Sequence, residues 1–135
     1  GNVENIWYID PLDGTVNYAH HLPIFSVSIA YAFRGALTLG AVYDPLRDEM
    51  FSAERGSGAF LNDKRIKPAA TTELQKSLLV TGFPYDVHDR VDEIVGLFGA
   101  FVGRARAVRR LGSAAIASVV SAAARMRMSY TTRLF

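Results

Sequence analysis

Asp10 and Asp13 are the residues of this sequence best placed to do chemistry. They flank Pro11-Leu12 at the end of an apolar run, Ile6-Trp7-Tyr8-Ile9, and Gly14-Thr15 follows directly. Two carboxylates this close offer hard oxygen donors, which suit a cation such as Mg2+. Free backbone N–H groups at Gly14 and Thr15, where a turn can open a short helix, suit an anion such as phosphate. Cation donors and an anion cradle in one short segment point to metal-assisted phosphoryl chemistry.

These residues need elements to position them. The run from Ile6 to Ile9 reads as a buried strand over 5–10. It ends at Asp10-Pro11, because Pro11 has no N–H for a central ladder. A short helix is expected over 15–20. Phe25, Val27, Ile29, Tyr31 and Phe33 alternate with Ser26, Ser28, Ala30 and Ala32. That period of two predicts a strand with one bulky face and one small face, the small one suited to a helix packed close.

Arg34-Gly35, Asp44-Pro45-Leu46-Arg47-Asp48 and Asn62-Asp63 read as turns. With strands over 37–43, 49–54, 59–61 and 64–67 they make an antiparallel meander. The Asp and Glu residues of its turns are expected to be solvated. After a loop over 68–76, a new strand is expected over 77–82, ended by Pro84 and Asp86. Val91, Ile94, Val95, Phe98, Phe101 and Val102 then follow helical spacing and form an expected core stripe. Asp89 and Asp92 fall in its first turn and Arg104 and Arg106 at its end, as the helix dipole favours. A short strand over 107–110 and a small-residue helix over 114–124, capped by Ser113, complete the reading.

The segment Trp7-x-x-Asp10-Pro11-Leu12-Asp13-Gly14-Thr15-x-Asn17-Tyr18 resembles the first signature of the inositol monophosphatase family. Further blocks fit in order: Leu22 to Ala30, Gly40-Ala41-Val42-Tyr43-Asp44-Pro45, Gly56-Ser57-Gly58-Ala59-Phe60-Leu61-Asn62, Thr81-Gly82-Phe83-Pro84-Tyr85 and Arg109-Arg110-Leu111-Gly112-Ser113-Ala114-Ala115. They extend from residue 6 to about 117 and look bacterial in style.

The resemblance implies an α/β fold, more closely an α+β layered sandwich of the inositol-monophosphatase/fructose-bisphosphatase type. The chain would hold part of it, an antiparallel meander with packed helices. It also implies a Mg2+-dependent, lithium-sensitive phosphomonoesterase acting on inositol 1-phosphate or a similar phosphate ester, and a family that is usually dimeric. Carried over residue by residue, Asp10, Asp13 and Thr15 are the implied catalytic residues. Asp10, the Leu12 carbonyl and Asp13 bind metal. Asp13, Gly14 and Thr15 meet the phosphate, and Gly112, Ser113 and Ala114 line the sugar.

The family pattern also has an upstream Glu that binds metal and a downstream Trp-Asp-x-Ala-Ala-Gly signature, and neither pattern occurs in these 135 residues. From Ser121 to Tyr130 the sequence departs from the family's character, and a frameshift or premature end near residue 117 is the expectation. The reading is therefore one partial domain over 1–135, with the motif and meander in 1–76 and the start of a second sheet region in 77–135. With two of the usual four acidic ligands, Mg2+ binding is expected to be weak. Uncovered apolar faces are expected to make the product sticky or oligomeric. The alternative is a catalytically inactive remnant acting as a binding module.

Composition narrows the classes. Fifteen Lys and Arg stand against 13 Asp and Glu, a net charge of +2. Much of the basic excess lies in Arg104, Arg106, Arg109, Arg110, Arg125, Arg127 and Arg133, without the interleaved aromatics of a strand-stacking groove. A positive field beside an anionic substrate accounts for it better than nucleic acid does. Cysteine is absent, so there is no disulfide frame and no thiolate metal site, which fits the cytoplasm. The longest apolar run, from Leu22 to Phe33, is too short to span a bilayer, and no signal-peptide pattern opens the sequence. His20-His21 invites a metal reading, but adjacent helical residues do not face the same way and no third ligand stands at zinc spacing.

Overall fold

The computed structural model describes residues 4–83 and 87–123, together with the backbone of 127–128. The first part is a meander: β1 (Asn5–Asp13), β2 (Ser26–Phe33), β3 (Ala36–Asp44), β4 (Glu49–Glu54), β5 (Gly58–Leu61) and β6 (Lys64–Ile66), with α1 (Thr15–Ala19) between β1 and β2. The six strands pair antiparallel in chain order. Two connections follow from turn chemistry. Arg34 and Gly35 have φ of 50° and 78°, and Asn62 and Asp63 have 45° and 65°. Two successive positive φ values make the tight turn whose twist matches flanking antiparallel strands.

The second part changes topology. β7 (Leu78–Val80), β8 (Ala107–Arg109) and β9 (Arg127–Met128) form a parallel sheet in the order β8-β7-β9. Parallel neighbours need crossovers. Here α2 (Val91–Val102) and α3 (Ala114–Ala122) lie in them. α3 also packs across β2 and β3 of the first sheet. It does so on the face that carries Ser28 and Ala30, so the small face of β2 meets a helix as expected. Val119 and Ala122 there border a cavity of about 240 Å3 lined by Ser28, Ala30, Gly40 and Phe51. None of the helices among the described residues is long and apolar enough to cross a membrane.

Several expectations are corrected. The run Ile6 to Ile9 is not buried: Trp7, Tyr8 and Ile9 are 59%, 54% and 63% exposed. β1 is the edge strand of its sheet, and an edge position leaves apolar side chains without neighbours on one flank. The strand also runs past Asp10-Pro11 to Asp13. In α2 the stripe is only partly core. Ile94 is buried, whereas Val91, Val95 and Val102 are exposed, because the helix meets β8 along one narrow side.

The first turn of α2 carries Asp92 and Glu93, with Asp89 in a preceding 3-10 turn (Val87–Asp89). Arg104 and Arg106 fall beyond its last residue. Asp44 is not solvated but 3% exposed. Its carboxylate accepts from the N–H groups of Leu46 and Arg47 at 3.1 and 3.3 Å and from the Arg47 guanidinium at 2.6 Å. It thus satisfies the turn that Pro45 opens. Pro84, Asp86 and, apart from the 127–128 backbone, the tail beyond 123 lie outside the described residues.

Candidate active site

The two carboxylates share a face of the sheet because β1 is irregular. On a regular strand, residues three apart point to opposite faces. Here Asp10 stands opposite Ser28 and Asp13 opposite Ser26, so three steps on β1 match two on β2. This bulge inserts one residue and restores Asp13 to the side of Asp10. Pro11 and Leu12 occupy it. An edge strand and a bulge are the places where a sheet admits proline, which is why Pro11 does not end the strand.

Asp13 ties the two halves of the molecule together. Its carboxylate accepts from the Ser113 hydroxyl, from the Ala114 N–H at 3.2 Å and from the Ala115 N–H at 3.0 Å. The fully buried Ser26 hydroxyl adds a longer contact of 3.4 Å. An anionic group at the first turn of a helix satisfies N–H groups that have no partner within the helix and complements the dipole. Ser113 also caps α3 in the expected way, its hydroxyl oxygen accepting from the Ile116 N–H at 3.1 Å. Of the expected site residues, Asp13, Gly14, Ser113 and Ala114 are brought together from more than ninety positions apart in sequence.

Gly14 starts α1 with φ of 88°. A side chain there would meet the Ile24 carbonyl oxygen at 2.9 Å and the Ser113 Cβ at 3.3 Å. Glycine is needed for the backbone conformation and for the close approach alike. Thr15, the first residue of α1, is exposed.

Asp10 is exposed, and its Oδ1 accepts from the Leu12 N–H at 3.2 Å. Arg109 and Arg110, both exposed, lead directly into the Leu111-Gly112-Ser113 loop. His20 and His21 are exposed, and no cluster of three or more His, Cys, Asp or Glu residues is gathered among the described residues.

One residue to which no role had been assigned stands at the centre. Asn17 is 7% exposed, and its Nδ2 donates to the carbonyls of Ile24 and Leu111, at 2.8 Å each. Its place beside Tyr18 in the signature segment was its only trace in the sequence. Asparagine in a short helix otherwise reads as a solvated polar residue.

The donors present fit Mg2+ in kind. The ion takes hard oxygens and is commonly held by one or two carboxylates, with water and phosphate filling the rest. Asp10 keeps one carboxylate oxygen outside its turn bond, while both Asp13 oxygens accept hydrogen bonds, from Ser113, Ala114 and Ala115 at the start of α3 and from Ser26 of β2.

Two acidic groups on one sheet face, set against a helix N-terminus from a second sheet, define a layered α/β protein with a compact oxygen-donor site. The sequence matches the model of the inositol monophosphatase family over residues 2–133, and the chain belongs to that family. It is 42% identical over 122 residues to the Nus factor SuhB of Pseudomonas aeruginosa, covering 89% of this chain and 45% of that protein. It is 38% identical over 128 residues to the inositol-1-monophosphatase of Mesorhizobium japonicum, covering 95% and 48%. The inositol monophosphatase of Anabaena superposes with a TM-score of 0.87 at 45% identity, over 93% of this chain and 50% of that one. The fold is thus that of the inositol monophosphatases, and the chain spans about half the length of the relatives it matches.

Proposed function

We propose that this chain supplies part of a Mg2+-dependent phosphomonoesterase acting on inositol monophosphate or a similar sugar phosphate. The observation that carries this reading is the bulge that sets Asp10 and Asp13 on one face, with Asp13 against the first turn of α3. Asp10, the Leu12 carbonyl and Asp13 would hold the ion. When bound, Mg2+ supplies positive charge against the phosphoryl oxygens and acidifies water.

Gly14 and Thr15 offer N–H groups to the phosphate, and the Thr15 hydroxyl accepts a hydrogen bond from the attacking water and aims it. Gly112, Ser113 and Ala114 border the sugar. Water oxygen bonds to phosphorus as the ester P–O bond breaks, and the alcohol leaves with a proton. The family's metal dependence and the relative named inositol-1-monophosphatase support the reading.

The test is phosphate release from inositol 1-phosphate by the 135-residue chain, with and without Mg2+ and with Asp13→Asn as control. Release that needs Mg2+ and is lost in the control is the expected result. Mg2+ affinity by calorimetry should be weak, since this short donor set carries little negative charge, and micromolar binding would contradict that. No release from a folded sample favours the second reading, a binding module without catalysis. That reading draws on the relatives named as Nus factors and on the small number of gathered acidic groups.

A further inference from the structure

We propose that Asn17 is a positioning residue that sets the spacing between the two halves of the site without touching substrate. Its Nδ2 has two hydrogens, and each is spent on a different segment. One goes to the Ile24 carbonyl ahead of β2 and the other to the Leu111 carbonyl, 94 residues away. Its own main-chain carbonyl accepts from the Leu22 N–H at 2.8 Å. One buried residue thereby holds α1, the approach to β2 and the loop between β8 and α3.

The surroundings are shaped to this amide. Gly112 has φ of 80°, and a Cβ there would lie 2.6 Å from the Asn17 amide atoms. The glycine is the space that the amide occupies. One residue further on, Ser113 begins the contacts to Asp13. A displaced Leu111 would carry Ser113, Ala114 and Ala115 away from Asp13, because a three-residue lever has no slack once Gly112 is packed. Two part-buried carbonyls would also lose their donor, which is costlier than the loss of one exposed bond. A side chain of the same shape without the donors, aspartate, cannot substitute: its oxygens would face two carbonyl oxygens.

The functional part of this inference rests on the phosphatase reading; the structural part does not. Amide hydrogen exchange of the full 135-residue chain tests the structural part. In Asn17→Asp, the Ala114 and Ala115 amides should exchange at least tenfold faster, while the amides of β2 and β3 keep their protection. Asn17→Ser, which keeps one donor, should fall between, and it decides the matter if Asn17→Asp does not fold. Unchanged protection at Ala114 and Ala115 in a folded variant overturns the proposal. So does loss of protection throughout both sheets in both variants, which would make Asn17 a residue of general stability.

Where the wild type hydrolyses esters, the variants should lose tenfold to a hundredfold more kcat/KM on inositol 1-phosphate, which reaches both halves of the site, than on p-nitrophenyl phosphate, which needs only the first. A misplacement of about 1 Å costs rates of that order. Equal losses on both esters overturn the proposal. If the wild type hydrolyses neither, the phosphatase reading fails while the exchange result still decides the role of Asn17.

Discussion

The two sheets are held together in opposite ways. Six strands of the meander bury two apolar side chains almost completely among the described residues, Ala32 and Phe51. The shorter second region buries five: Leu79, Val80, Ile94, Ile116 and Ala117. The meander relies on ladders between sequence neighbours, joined by tight turns that cost little chain entropy to close. The parallel sheet joins segments far apart in sequence and is secured by what its helices cover. The candidate site lies on the seam, with Asp13 from one region and Ser113 from the other, so it needs both kinds of order at once.

The largest expected effects probe that contrast directly. Phe51 is the only large apolar side chain buried on the meander among the described residues. Phe51→Ala should cost about 3–5 kcal/mol by chemical denaturation, the usual range for emptying a buried aromatic site. A loss well under 1 kcal/mol would show that ladders and turns alone hold the meander. Leu79→Ala, in the centre of the parallel sheet, should cost about 2–5 kcal/mol. It should also speed exchange of the Ala114 and Ala115 amides more than that of the meander. If the meander opens equally, the two regions form one cooperative unit and the contrast is one of construction, not of stability.

A smaller effect is expected on the seam. Ser113→Ala removes both the cap of α3 and one donor to Asp13, while the Ala114 and Ala115 N–H groups remain. The expected cost is about 0.5–2 kcal/mol, the range for losing a helix N-cap. A thermal melt unchanged from the wild type would mean that Asp13 takes over as the cap.

The same contrast explains what the sequence reveals. Turn residues act locally, so Arg34-Gly35 and Asn62-Asp63 announced their hairpins, and the spacing of Val91 to Val102 announced α2 but not its ends, since Asp89, Arg104 and Arg106 fall outside it. Ser113 was legible as a cap for the same reason. The bulge at Pro11 was not, because a bulge is defined by the partner strand, and nothing in residues 10–13 shows that Ser26 and Ser28 will stand opposite. The exposure of Trp7 and Ile9 was also hidden. An apolar run shows what a strand would bury, not what lies over it. Asn17 was invisible as an organiser because one of its acceptors is Leu111, at the other end of the chain. Family resemblance, in contrast, located Gly112, Ser113 and Ala114 beside the signature segment, where local rules had no means of placing them.

The smallest expected effect lies at the start of α2, away from the seam. Arg90 precedes the helix, and its guanidinium grips the Glu93 carboxylate with two bonds, at 2.9 and 2.7 Å. That contact holds the Glu93 carboxyl below its usual 4.5, against a weaker opposing effect of desolvation. The folded pKa is depressed, so the contribution to stability is fully present above the ordinary carboxylate range and is lost as the pH falls through the lowered value. Because the pair is exposed, water and salt screen it and the gain is slight. An NMR titration of the Glu93 carboxyl should show its midpoint rise toward 4.5 in Arg90→Gln, and rise partway in the wild type when salt is added. If the midpoint does not move in the variant, the acidic first turn of α2 is held by the helix dipole alone. The second region would then owe its order still more completely to the side chains it buries.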